Sequence, residues 1–97
     1  MQSSEPSQEE NAAERRRHPR VPASGPIQLH GEDPLPFRVD GELVDVSEGG
    51  FRLAHRHATL HPGQEVRFEH PGGQGWARVM WTCVSPGRVE SGCMILA

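Results

Sequence analysis

From Pro22 onward the apolar residues recur in short alternating stretches, never in an amphipathic run longer than two helical turns, and Gly or Pro interrupts them every few residues. That pattern predicts an all-β chain. The candidate strands cover residues 27–30, 36–46, 50–54, 65–70, 76–84 and 89–96. Six short strands within about 75 residues predict a small closed antiparallel barrel, because closure removes the unpaired edges at which sheets aggregate. His61-Pro62-Gly63 and Pro71-Gly72-Gly73 read as turns. Ser85-Pro86-Gly87 is a tight connection, with Pro presetting φ and Gly accepting a positive one, so the last two strands form a hairpin.

The first residues break this pattern. Residues 1–14 are rich in Ser, Gln and Glu and offer almost nothing to a core. Ser7 and Glu10 have capping-box spacing for a short helix through Ala12 and Ala13 that Pro19 would end, but the composition favours a disordered tail. The organisation expected is a tail over 1–14, a flexible segment over 15–23 and a barrel over 24–97.

Composition narrows the function. The chain has 97 residues and a formal net charge of -3, with a pI near 6.0 and a mean hydropathy of -0.63. Such a charge argues against bulk nucleic-acid binding, which relies on a broad basic surface to neutralise phosphates. No apolar run reaches membrane-spanning length, and MQSSEPSQEE lacks the basic start and apolar stretch of a secretion signal, so the expected location is the cytoplasm, without membrane insertion. Cys83 and Cys93 fall on the two arms of the final hairpin; two cysteines make no disulfide framework, and reduced thiols are expected.

The positive charge is local. ERRRHPR, residues 14–20, holds four arginines in a chain without lysine. By itself the run reads first as a solvated patch balancing Glu9, Glu10 and Glu14. If the segment is extended, as the residue before Pro19 is biased to be, Arg16, His18 and Arg20 share one side, with the two arginines roughly 13 Å apart. Arginine's planar fork suits phosphate oxygens and the O6/N7 edge of guanine.

The second feature is Asp45-Val46-Ser47-Glu48-Gly49-Gly50, between two strands. Alternation places Val44 and Val46 in the core and Asp45 and Ser47 together outside. Gly49 and Gly50 permit a sharp turn with positive φ and a bare backbone that a flat ligand can approach. Alone, the stretch also reads as a turn in which Asp45 or Ser47 bonds nearby backbone.

In combination these features are more specific. Arg16-x-x-x-Arg20, followed by Asp45-x-Ser47-x-x-Gly50 on a six-stranded β chain, resembles the PilZ family of cyclic di-GMP receptors, and the resemblance runs from about Arg15 to Leu96. It includes the PGQEVRF stretch at 62–68 and the ARVMW stretch at 77–81.

The resemblance implies that cyclic di-GMP is the ligand, held between the arginine segment and the barrel surface. Arg16 and Arg20 would grip phosphates and guanine edges, with Arg15 or Arg17 adding phosphate contacts. Asp45 would accept from guanine N–H groups, Ser47 would add a polar contact, and Gly50 would let the backbone approach. Trp81 matches an aromatic position that stacks beside a base in some members; a core tryptophan is the other reading. Family members commonly carry a helix after the sixth strand, and none is expected here.

Other chemistry finds little in the sequence. His55, His57, His61 and His70 have no carboxylate or cysteine at zinc spacing and are expected on the surface, and no metal or other cofactor is expected. No nucleophile elbow or metal-binding helix motif is present, so an enzyme is not expected. Two competing readings are a PilZ-like adaptor that ignores the dinucleotide and a single-stranded nucleic-acid barrel. The latter is disfavoured by two Trp, three Phe and no Tyr. A receptor of this kind would signal through a downstream protein partner.

Overall fold

The computed structural model describes residues 20–96. The strands are β1 (Val21–Pro22), β2 (Pro26–Gly31), β3 (Phe37–Ser47), β4 (Gly50–His55), β5 (Glu65–His70), β6 (Gly73–Ser85) and β7 (Arg88–Ile95), with no helix among the described residues. All neighbours are antiparallel in the order β1-β3-β2-β5-β6-β7-β4, and a β3–β4 pairing closes β2 to β7 into a six-stranded barrel. β1 is the extra strand. It lies in the segment expected to be flexible, yet pairs Val21 with Val46 and Pro22 with Asp45.

Period-2 alternation explains why these residues make strands and which face each buries. Ile27 and Leu29, Phe51 and Leu53, Val66 and Phe68, and Ala77 and Val79 point inward in successive strands. Val39, Leu43, Leu60 and Cys93 complete the core, and Phe51 meets Phe68 with ring centroids 5.0 Å apart. The turns fall at the expected glycines, and Gly87 takes φ +73° in the β6–β7 turn.

Strict alternation fails in two places, both of which shape the site. Between Leu43 and Asp45 the β3–β4 register shifts, so that Leu43 opposes Leu53 and Asp45 opposes Arg52. Val44 is the additional residue of that bulge. The expectation that Val44 and Val46 both enter the core is therefore corrected: Val46 packs against it, whereas Val44 is half-buried outside the core cluster and its place is taken by Leu43. A second shift between Val79 and Trp81 makes Met80 the additional residue of β6 and sets Trp81 opposite Gly92.

Candidate functional site

The two bulges align four residues in one transverse row. Asp45 of β3 pairs with Arg52 of β4, Arg52 with Gly92 of β7, and Gly92 with Trp81 of β6. Their sequence neighbours Leu53 and Ser91 are fully buried, so the row lies on the opposite, outer face of the barrel.

Asp45 is only 5% exposed although it belongs to this outer face. Two guanidiniums cover it. Arg20 Nη1 donates to Asp45 Oδ1 at 2.8 Å, and Arg52 Nη2 donates to Oδ2 at 2.5 Å. Arg20 reaches the carboxylate because β1 runs antiparallel to the end of β3, and Ala23 N–H donates to Val44 carbonyl to hold that approach. Arg20 and Asp45, 25 residues apart in the sequence, thus touch. The Arg20 side chain remains 47% exposed.

Ser47 and Gly50 are ladder partners across the Glu48–Gly49 turn, and Ser47 Oγ donates to Gly50 carbonyl at 3.4 Å. Neither glycine has the positive φ expected of this turn; among the described residues positive-φ glycines fall at 25, 63, 73 and 87. Gly50 is required for a different reason. A Cβ there would overlap the carbonyl oxygen of Cys93, so its bare backbone admits β7. The Gly49 carbonyl in turn accepts from Ile95 N–H at 2.9 Å, fastening the end of β7 to the turn.

Trp81 is 39% exposed and lies outside the core cluster. Its indole covers Gly92, where a Cβ would collide with the ring. One side of the ring is therefore supported by backbone, and its exposed surface suits an aromatic ligand. Trp76, Met80 and Met94 are also exposed on β6 and β7.

Arg52 was not among the residues the sequence singles out. The signal lies in register rather than in local composition: only the pairing of β4 with β3 reveals that an arginine seven positions after Asp45 returns to its side. Arg15, Arg16 and Arg17 lie outside the described residues, as does the 1–14 tail.

The histidine expectation needs correction at one position. His55 is buried, because it faces inward at the end of β4 and finds partners there. His57 N–H donates to its Nδ1 at 3.0 Å, which leaves Nε2 to donate to Ser91 Oγ at 2.7 Å. Burial, and secondarily the charge of His57, lowers the His55 pKa. No group of three or more His, Cys, Asp or Glu among the described residues is arranged to hold a metal ion.

The hairpin cysteines face different surroundings. Cys83 is exposed and Cys93 is buried, both as free thiols, and burial pushes Cys93 up to about 12. No helix of the described residues is long and apolar enough to cross a membrane.

A family model described as PilZ domain matches residues 14–95. No curated protein matches the chain.

Proposed function

The chain belongs to the PilZ domain family, whose members are cyclic di-GMP-binding modules, and from that premise we propose that it is a receptor that closes its arginine segment over the outer row of the barrel when the dinucleotide binds. The observation that carries this reading is the 2.8 Å contact between Arg20 and Asp45. It sets Arg20 of the arginine motif against Asp45 of the Asp/Ser/Gly motif.

The chemistry follows from the donors and acceptors. Guanine presents N1–H and N2–H as a paired donor edge, and a carboxylate accepts such a pair on two oxygens. Asp45 is that acceptor. Arg20 supplies a planar cationic fork for a phosphate oxygen or for the guanine O6/N7 edge. The Trp81 indole lies over Gly92, two strand spacings from Asp45 along the row, roughly 10 Å at about 4.8 Å per spacing, which leaves room for a separate base at each. One guanine at Asp45 and the other against Trp81 would let a single dinucleotide span the row.

In this reading Arg15 and Arg16 join Arg20 on the ligand, because a dianion removes the repulsion between neighbouring guanidiniums. Ordering that segment costs conformational entropy and lowers net affinity. In return it changes the surface beside Trp76, Met80 and Met94, which are exposed and available to a downstream protein. Ser47 and Gly50 act chiefly by fixing the turn that presents Asp45, the role their contacts support.

The test is a fluorescence titration with cyclic di-GMP, read on the tryptophans. Saturable quenching is expected for the native chain, with affinity reduced about tenfold or more in Arg20→Ala through loss of a charge-assisted hydrogen bond. Unchanged affinity in that variant would remove Arg20 from the site.

A further inference from the structure

Arg52 occupies the middle of the row, between the two positions assigned to the bases. Its guanidinium has five N–H donors and uses one in a close hydrogen bond, to Asp45. Its Nη1 stands 3.9 Å from Glu90 Oε1, close enough for attraction but beyond hydrogen-bond length. Its Nε is buried without any partner. A buried donor left unpaired is costly, so the arrangement around Asp45 leaves Arg52 incompletely satisfied.

The charges on this face alternate from Arg20 to Asp45, Arg52, Glu90 and Arg88. Glu90 is anchored at the far end, where Arg88 donates to its Oε2 from Nε at 2.7 Å and approaches it with Nη2 at 2.7 Å. Asp45 is the contested member. A guanine edge needs access to both its oxygens, and the two guanidiniums that bond them leave Asp45 only 5% exposed. Ligand and guanidiniums therefore compete for the same carboxylate, and whichever arginine yields is left beside a dinucleotide carrying two negative phosphates.

We propose that Arg52 is a transferable ligand arginine: it neutralises Asp45 in the empty protein and passes to a phosphate of the dinucleotide when guanine takes the carboxylate. This rests on the receptor reading above and adds to it a residue outside both arginine and Asp/Ser/Gly motifs. Glu90 is a positioning residue. Held by Arg88, it keeps a countercharge behind Arg52 and limits its travel, so the guanidinium stays over the row during exchange. Gly92, lacking a side chain, lets the Trp81 indole lie over the backbone next to Arg52, which brings the ring toward the guanidinium along the row.

The experiment is calorimetric titration of the full chain with cyclic di-GMP over a range of NaCl concentrations, for the native protein, Arg52→Gln, Arg52→Lys and Glu90→Gln. Arg52→Gln is expected to weaken binding about tenfold or more and to flatten its salt dependence, because a screened cation–phosphate contact is gone. Arg52→Lys should bind between the two and keep the salt dependence, since it retains charge without the fork. Glu90→Gln should weaken binding by a smaller factor with its salt dependence retained. Circular dichroism establishes that each variant is folded, and Arg52→Lys reports on the contact should Arg52→Gln not fold. Equal or tighter binding by Arg52→Gln, with the native chain binding, overturns the transfer and makes Arg52 a competitor for Asp45. Absence of binding by the native chain overturns the receptor reading and the transfer with it.

Discussion

Two polar clusters lie back to back on β4, β6 and β7, one residue apart in each strand. Arg52, Gly92 and Trp81 form the outer row; Leu53, Ser91 and Thr82 form the next row, facing inward. The inner cluster is neutral and closed. His55 Nε2–H donates to Ser91 Oγ, the Ser91 and Thr82 hydroxyls share a hydrogen bond at 2.7 Å, and His57 N–H occupies the remaining ring nitrogen. The outer cluster is charged and open, with one buried arginine nitrogen unpaired and two arginines sharing a single carboxylate. A barrel interior tolerates polar groups only when each finds a partner, whereas a face that receives a charged ligand must keep donors in reserve. On the proposed reading, the difference separates a structural network from a binding one.

The strongest way to break this contrast is to put charge on the inner side. Leu53→Asp replaces a fully buried leucine beside Arg52 with a carboxylate that has no inward countercharge. The cost is about 5 kcal/mol or more, comparable to the total stability of a small domain, so the expected result is loss of the folded far-ultraviolet circular dichroism spectrum. A cooperative thermal transition close to the native one would show that position 53 can turn outward.

Acidification tests the inner cluster more gently. The unfolded chain protonates His55 near its ordinary value of 6.5, while the folded chain resists because the charged ring would be desolvated and would set an N–H against the His57 N–H. Stability from this site is therefore full above that value, declines as pH falls below it, and is lost through the lower folded value. Urea midpoints measured from pH 7.5 downward should fall for the native chain and fall less for His55→Gln. Parallel curves would assign the decline to other groups.

The smallest expected effect concerns the outer edge of the row. Trp81→Leu should leave thermal stability within about 1 kcal/mol, because the indole is substantially exposed, yet weaken cyclic di-GMP binding severalfold by removing a stacking surface worth roughly 1–3 kcal/mol. Unchanged affinity would limit the site to the Asp45 end.

How much of this was legible in the sequence depended on the range of the information. The six barrel strands follow from alternation and from Gly and Pro punctuation, which are local properties, so β2 to β7 fall close to their expected limits. Asp45 and Arg20 were legible through the resemblance, and their contact supports pairing them. The bulge at Val44 was not, because Val44-Asp45-Val46 reads as alternation whether or not a residue is inserted. Arg52 and the Gly92–Trp81 contact depend on which strands become neighbours, and local composition carries no trace of that. His55 was misplaced for the same reason: Ser91, which satisfies it, is 36 residues away. β1 escaped notice because two residues including a proline show no period.

The most direct test of the divided site is calorimetric titration of cyclic di-GMP into the native chain and into Asp45→Asn. The substitution preserves shape and one acceptor while replacing the other oxygen with an amide that opposes both the guanine donors and the guanidiniums. Saturable binding by the native chain, lost by about a hundredfold in the variant while its thermal transition remains cooperative, is the expected result. Equal affinity in the two proteins, or no heat from a folded native chain at high micromolar ligand, would contradict the account.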